Sequence, residues 1–298
     1  MSKFVLSAWL RMFAVSLLFV VAVGCVAPPT SAAESPEAST EKILHAIGNG
    51  DTATLWDALP EKYQADIKSV VAEFGKNIDA ELWNAGFKTL AKLAKVLKEK
   101  KEFVIGSEPV KAFDERNKKY FAENFDAVQV TLETLAASEI STLEGLKQLD
   151  VGAFCRGSAK KAVGSLFGVT HPGVLSQTSK LRAAKVRLIS TEGDSAEIKV
   201  EWPDEVAKEE NQGKAMRING KWLPSEAVLA WDGAIEGLKQ FAGKLKPEAD
   251  QKAQVSGLIG GVDAVLDRVA AAKDQATFDR ELRSILPLLK AINGPPKP

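Results

Sequence analysis

The stretch 216–224, MRINGKWLP, places an Asn-Gly pair between two short runs in which apolar and polar residues alternate. Asn-Gly is the strongest local signal for a two-residue β-hairpin, because a type I′ turn needs positive φ at both central positions. Most of the surrounding sequence has helical periodicity instead. We therefore expect the hairpin to be half of a small sheet that organises the fold by giving helices an apolar surface to pack on.

Two upstream runs, KVRLIS and AEIKVEW, also alternate with period two, and the loop TEGD joins them. Together with the hairpin they predict an antiparallel meander over about 185–224. The predicted apolar face carries Val186, Leu188, Ile198, Val200, Trp202, Met216, Ile218 and Trp222. The predicted polar face carries Arg187, Glu197, Lys199, Glu201, Arg217 and Lys221. Such a sheet packs against helices on one face and meets water on the other.

Apolar residues recur at three- and four-residue steps on both sides of the meander, which predicts helices there. The fold class is therefore predicted to be α+β and predominantly helical: a multi-helix body with one small antiparallel meander. The predicted regions are a helical region at 41–175, a sheet region at 176–224, a helical region packing on the sheet at 225–293, and a tail at 294–298.

Residues 1–33 resemble a secretory signal peptide. Lys3 and Arg11 precede the apolar run AVSLLFVVAVG, which is shorter than the roughly 20 residues that a membrane span needs. Small residues at Ser31 and Ala33 match a signal-peptidase cleavage site. We predict export across the inner membrane of a bacterium, to the periplasm or the envelope. The polar segment ESPEAST, residues 34–40, is predicted to be a linker.

Cys25 gives a second interpretation of the same segment. It ends the apolar run in AVGC, which resembles a lipoprotein signal whose cysteine is lipidated, although Ala22 stands where leucine is usual. Three alternatives stay open: cleavage after Ala33, membrane anchoring through a lipid on Cys25, and an uncleaved N-terminal anchor. Under either processing scheme Cys155 is the one cysteine of the folded body, so an intrachain disulfide framework is excluded.

Charge and motif content argue against several function classes. The 298 residues include 39 basic and 39 acidic ones, and nucleic-acid binding usually needs a clustered basic surface, so no nucleic-acid partner is expected. P-loop, GxGxxG, GxSxG and CxxC strings do not occur. The two histidines, His45 and His171, are interpreted as a boundary residue and a bend before Pro172. We therefore predict no catalytic, cofactor-binding or metal-ligating residue.

Three further features resemble functional sites but are predicted to be structural. Cys155 has Arg156 and Lys160 nearby, as a reactive thiol would, but it shares an apolar stripe with Phe154 and is predicted to be buried. The acidic segment PDEVAKEENQG does not match EF-hand spacing and is predicted to be a solvated loop. Five tryptophans are predicted to pack rather than to bind ligands: Trp56, Trp83, Trp202, Trp222 and Trp231.

Two pieces of the chain resemble a known family. ILHAIGNGDTATLWDALP resembles the opening helix pair of nuclear-transport-factor-two-like domains, a cone-shaped α+β fold related to cystatin-like domains. EGDSAEIKVEW and MRINGKWLP resemble the strand pairs that end many exported bacterial members. The resemblance covers about a quarter of the chain. It implies a curved sheet that encloses a pocket with its helices, in enzymes that use an aspartate and a histidine or in binding modules, but no catalytic residue matches a position here.

The predicted export signal and the lack of a recognisable set of catalytic residues together suggest the leading functional hypothesis. We expect a non-catalytic envelope protein that binds or scaffolds a protein or small-molecule partner. The alternative is a small hydrolase or isomerase with a pocket between the sheet and the helices. A deep pocket with converging polar side chains would favour the enzyme, and a closed apolar core would favour the binding protein.

Overall fold

The computed structural model describes residues 34–167, 172–203 and 212–285, with the side chains of 172–177 left out. The predicted signal peptide with Cys25, His171, most of the acidic segment and the predicted tail lie outside these residues. Within them the fold class is the predicted one, predominantly helical α+β with one small four-stranded antiparallel sheet. No helix in this part of the chain is both long and apolar enough to cross a membrane.

Helices of very different lengths precede the sheet. They are α1 Pro36–Asn49, α2 Thr52–Trp56, α3 Glu61–Asn77, α4 Ala80–Glu99, α5 Lys101–Ile105, α6 Glu108–Lys111, α7 Glu115–Ala136, a 3-10 turn Glu139–Ser141, α8 Leu143–Lys147, α9 Val151–Arg156, α10 Ser158–Phe167 and α11 Pro172–Ala183. The sheet and the later helices are β1 Lys185–Glu192, β2 Ser195–Glu201, β3 Gln212–Ile218, β4 Lys221–Pro224, α12 Ser225–Gly243, α13 Ala249–Ala271 and α14 Gln275–Arg283.

The chain forms two compact units and enters each of them twice. The helical unit contains Ile78–Leu146 and the described residues from Lys246 onward. The sheet unit contains the described residues up to Asn77 and those from Lys147 to Leu245. The predicted single region at 225–293 is therefore wrong: α12 packs on β3 and β4, whereas α13 and α14 belong to the helical unit.

The predicted hairpin is present with the expected backbone. Asn219 has φ 48° and Gly220 has φ 81°, the positive values that a type I′ turn needs. The four strands follow one another in chain order across the sheet. The first hairpin is tighter than predicted, because Glu192 pairs with Ser195 and only two residues, beginning with Gly193 at φ 59°, make the turn.

The predicted faces of β3 are wrong, whereas Trp222 of β4 shares a face with Val186 and Ile198 as predicted. A two-residue hairpin pairs Ile218 with Lys221 and Arg217 with Trp222, and directly paired residues point to the same side of a sheet. Trp222 therefore shares its face with Arg217, whose guanidinium carbon lies 5.2 Å from the indole ring centre. Met216 and Ile218 lie on the opposite face. The prediction placed Met216 and Ile218 on the same face as Trp222, but the two-residue turn places Arg217 there instead.

Trp222 is buried as predicted, with 4% of its surface exposed, but it faces a different helix. It packs in a cluster with Leu44 of α1, and its carbonyl accepts a 3.1 Å hydrogen bond from Ser39 Oγ. The remaining cluster residues are Val186, Ala196, Ile198, Val200 and Ala215. The predicted partner, the helix from Ser225, instead packs Val228 and Trp231 against a second cluster that contains Leu223.

The predicted linker at 34–40 is wrong from Pro36 onward, because α1 begins there. The Ser35 side chain accepts a 3.4 Å hydrogen bond from the Ala38 N–H and caps the helix. Pro36 takes a first-turn position, where its missing N–H costs no helical hydrogen bond. The helix ends at Gly50, which has φ 62°. A polar, proline-containing segment is therefore a helix start in this chain.

The helical unit has its own core around Phe278, of which 1% is exposed. The Phe103 ring lies 5.7 Å from that of Phe278. The surrounding buried residues are Val96, Val265, Leu266, Val269 and Ala272. Lys92 of α4 also pairs with Asp263 at 2.6 Å and Asp267 at 2.7 Å on α13. These contacts join helices that are distant in sequence.

Candidate functional site

A groove of about 580 Å³ runs along α1 in the sheet unit. Its volume lies in the range of small-ligand sites, which is roughly 300–1,000 Å³. Most of its lining comes from successive turns of α1, with two residues from the start of α2 and one from β1. The lining residues are Glu37, Ala38, Glu41, Lys42, His45, Ala46, Asn49, Asp51, Thr54 and Val186.

Glu41 joins α1 to the first strand. Its Oε2 accepts a 2.9 Å hydrogen bond from the Val186 N–H, and its Oε1 accepts one of 3.2 Å from Lys185 Nζ. The hydrogen bond from Val186 holds the pKa of Glu41 below its ordinary value, against the opposing effect of burial. The carboxylate therefore stays charged at neutral pH and fixes one wall of the groove.

This attachment gives stability a specific pH dependence. Because the folded-state pKa of Glu41 is lowered, its contribution is fully present above the unfolded value of about 4.3 and is lost as the pH falls through the folded-state pKa. We expect Glu41→Gln to be less stable than wild type at neutral pH. Denaturant titrations should show the two proteins converging as the pH falls below 4.3. A difference that stays constant with pH would contradict this role.

His45 is held by the backbone that leads into the sheet. Its Nε2 lies 2.8 Å from the Ala184 carbonyl oxygen, and a carbonyl can only accept a hydrogen bond. Nε2 therefore carries a proton and donates, which leaves Nδ1 as the nitrogen that accepts in the neutral ring. The contact gives His45 the boundary role predicted for it and holds its ring at the groove.

Asp51 caps α2 at the other end of the groove. It accepts hydrogen bonds from the Thr54 N–H at 3.3 Å and from Thr54 Oγ1 at 3.0 Å, and it pairs with Lys160 at 3.0 Å. Burial acts to raise the pKa of Asp51, but the hydrogen bonds from Lys160 and Thr54 outweigh it and leave the pKa lowered. Asp51 is therefore a charged structural cap.

Glu37 differs from Glu41 and Asp51 because one of its carboxylate oxygens has no hydrogen-bond donor in the part of the chain that the structure describes. Its Oε2 is shielded from solvent and has no hydrogen-bond partner within the described residues. A shielded acceptor without a donor costs stability. Glu37 also lines the groove, next to the exposed residue Ala38 of α1.

Cys155 lies away from the groove and is buried, as predicted, with 4% of its surface exposed. It packs with Trp56, Ile67 and Val151. Its carbonyl accepts a 2.6 Å hydrogen bond from Thr52 Oγ1, which joins α9 to α2. A thiol in this apolar cluster lacks the access that nucleophilic chemistry requires.

We expect the Cys155 thiol to react slowly in the native protein. A chain that starts after Ala33 contains this cysteine alone, so one labelled species reports on it. Labelling with a thiol reagent should be much slower in buffer than in denaturant, where the cluster around the thiol is lost. Equal rates in the two conditions would mean that Cys155 is accessible.

Most of the five tryptophans pack against other residues of the protein, as predicted. Trp56, Trp83 and Trp222 are buried. Trp231 stacks on Tyr63 with ring centres 4.1 Å apart, and its Nε1 donates a 3.0 Å hydrogen bond to Asp66. Trp202, just after β2, is partly exposed. Four of the five predicted tryptophans therefore pack within the protein: Trp56, Trp83, Trp222 and Trp231.

The described residues contain no group of three His, Cys, Asp or Glu side chains placed to hold a metal ion. The groove itself was missed from the sequence, although a pattern for it exists. Glu37, Glu41 and His45 recur at four-residue steps and so share one helix face. The pattern was hidden because the residues before Glu41 were interpreted as a linker.

Comparisons of the chain with protein-family models, curated proteins and solved structures find no match. The likeness to nuclear-transport-factor-two-like domains therefore stays a prediction, and function has to be argued from the residues.

Proposed function

We propose that this protein is an exported, non-catalytic binding or scaffold protein of the bacterial envelope, and that the groove along α1 receives its partner. The observation that supports the proposal most is the apolar packing of the sheet against α1, which leaves Val186 as the sheet residue among those that line the groove. Trp222, Ile198 and Leu44 pack there in one apolar cluster, in the place where the enzymatic alternative needs a pocket.

The bonding of the groove residues also favours recognition over catalysis. Glu41 and Asp51 are engaged in hydrogen bonds that hold α1, β1 and α2 in place. Residues tied in this way make a rigid surface that loses little conformational freedom when a partner binds. Glu37 adds a negative charge to the groove lining, which favours a partner that presents a cationic group, such as an amine or a guanidinium group.

Site-specific cross-linking tests this proposal. The chain starting after Ala33 would carry a photoreactive side chain at position 38, in the groove, or at position 229 on an exposed site of α12. In envelope extracts of the native host we expect an adduct from position 38 and none from position 229. The same adduct from both positions, or none from position 38, would contradict the proposal.

A matched pair of substitutions refines the experiment. Glu37 and Glu226 are each the acidic residue in the first turn of a long helix, so a change to lysine has the same unfavourable interaction with the helix dipole at both positions. Glu37→Lys should abolish the adduct from position 38, whereas Glu226→Lys should leave it unchanged. Hydrolysis of model esters that disappears in His45→Ala would instead favour the enzymatic alternative.

Export is tested separately by the intact mass of the protein from its native host. We expect a species that lacks residues 1–33, or one that lacks 1–24 and carries a lipid on Cys25. A mature species that retains Met1 to Gly24 would contradict both versions of the proposal.

A further inference from the structure

β1 is an edge strand with an unusually open surface. Within the described residues it pairs only with β2, and every residue after Val186 is exposed. Leu188 is 41% exposed and Ile189 is 49% exposed, which is high for large apolar side chains. An exposed edge of this kind is a template for pairing with another strand.

Two contacts limit the free part of this edge. At one end Glu41 Oε2 already accepts the Val186 N–H. At the other end Glu192 pairs with Ser195, and the chain turns at Gly193. The free edge therefore runs from Arg187 to Glu192, and its midpoint lies between Ile189 and Ser190.

We propose that a second copy of this chain pairs antiparallel along this edge, so that the two sheets join across a twofold axis. If the second copy pairs along the whole free edge, the twofold axis passes through the midpoint of that edge. Arg187 of each chain then lies opposite Glu192 of the other, because their positions are equidistant from the midpoint. The interface is isologous and closed, as expected for a homodimer.

Charge complementarity selects this occupant and this direction. Opposite charges directly across an antiparallel pair stabilise it, and like charges destabilise it. A parallel copy in register would bring Arg187 beside Arg187 and Glu192 beside Glu192. β1 has a bulge at Ile189, between Leu188 and Ser190, which interrupts the regular spacing of its hydrogen-bonding groups. A bulged edge disfavours pairing with an arbitrary strand, so the charged pairs are needed to stabilise the contact. The inference does not depend on the groove or on the proposed function.

A charge-exchange experiment tests the dimer. The chain starting after Ala33 is expected to have twice the mass of one chain by sedimentation at micromolar concentration. Arg187→Glu and Glu192→Arg should each be monomeric, because every homodimer would contain two like-charge pairs. An equimolar mixture of the two variants should recover the dimer, since both pairs become complementary in the heterodimer.

Controls separate the interface from folding defects. Lys214→Glu makes the same charge change at an exposed position of β3 and should stay dimeric. Arg187 also pairs with Glu201 within its own chain at 3.0 Å, so circular dichroism has to confirm that each variant is folded. If Arg187→Glu does not fold, Ile189→Lys replaces it and should be monomeric, because two lysines would meet near the twofold axis.

A monomeric wild-type protein would overturn the proposal. Folded single variants that dimerise as the wild type does would also overturn it. A mixture of Arg187→Glu and Glu192→Arg that stays monomeric would show that these two residues do not face each other.

Discussion

Replacing Trp222 by alanine is expected to lower the free energy of unfolding by about 3–5 kcal/mol. The indole is 4% exposed and fills the space between the sheet and α1, so its removal leaves a cavity that the surrounding residues cannot fully close. A loss of this size is a large share of the roughly 5–15 kcal/mol that stabilises a typical domain. Urea titration of the chain starting after Ala33 measures it as a lower midpoint.

The control for Trp222→Ala has to be an exposed residue of the same sheet. The sequence favours Lys221 as such a control, but Lys221 Nζ donates a 3.1 Å hydrogen bond to the Asp57 carbonyl and is partly buried. Lys214 on β3 is exposed, and Lys214→Ala should change the free energy of unfolding by no more than about 0.5 kcal/mol. Equal and small effects from Trp222→Ala and Lys214→Ala would mean that Trp222 is not in the core.

The second large effect is expected in the helical unit, where Phe278→Ala should also cost about 3–5 kcal/mol. The side chain is 1% exposed, and its ring contacts Phe103 within a cluster that joins α4, α13 and α14. Its loss removes both apolar burial and an aromatic pair. Denaturant titration with fluorescence and circular dichroism detection measures the loss.

Phe113 is a matched control for this substitution, because it is a phenylalanine of the same unit with an exposed side chain. Its described aromatic contact is an edge-on approach to Phe121 at 6.3 Å. Phe113→Ala should therefore cost about 0.5–1.5 kcal/mol, the range of an aromatic pair. Losses of similar size from Phe113→Ala and Phe278→Ala would contradict the assignment of Phe278 to the core.

The features that the sequence predicted well are local ones. The turn at Asn219 and Gly220 depends on two residues that tolerate positive φ, and no distant contact is needed to specify it. The burial of Cys155 and Trp222 follows from their apolar stripes. The helical α+β fold class follows in the same way from the two periodicities of the apolar residues.

Features set by long-range packing could not be predicted. Ser39 and the Trp222 carbonyl are 183 residues apart in sequence, so nothing local shows that α1 covers this face of the sheet. The short link through Pro224 suggested α12 as the helix that covers Trp222. In the structure α12 instead packs against the cluster that contains Leu223. Local pattern constrains which residues are buried more strongly than it constrains what buries them.

The division into two units was also hidden. Both sequence pieces that resemble the nuclear-transport-factor-two-like family lie in the sheet unit, and Ile78–Leu146 of the helical unit stands between them in the chain. Helical periodicity continues through this segment, so neither composition nor pattern marks where one unit stops. The groove was hidden for a related reason, since Val186 joins the face of α1 only in three dimensions.

Indole binding tests most directly whether the space between the sheet and α1 is closed, on which the non-catalytic proposal depends. Millimolar indole should raise the thermal midpoint of the wild-type protein less than that of Trp222→Ala, because the groove is present in both proteins and the Trp222 side chain occupies the space between the sheet and α1. The midpoint of Trp222→Ala should rise with indole, which fills the cavity and stabilises the folded state by mass action. A comparable rise in the wild-type midpoint would contradict a closed interface and would favour the pocket that the enzymatic alternative requires.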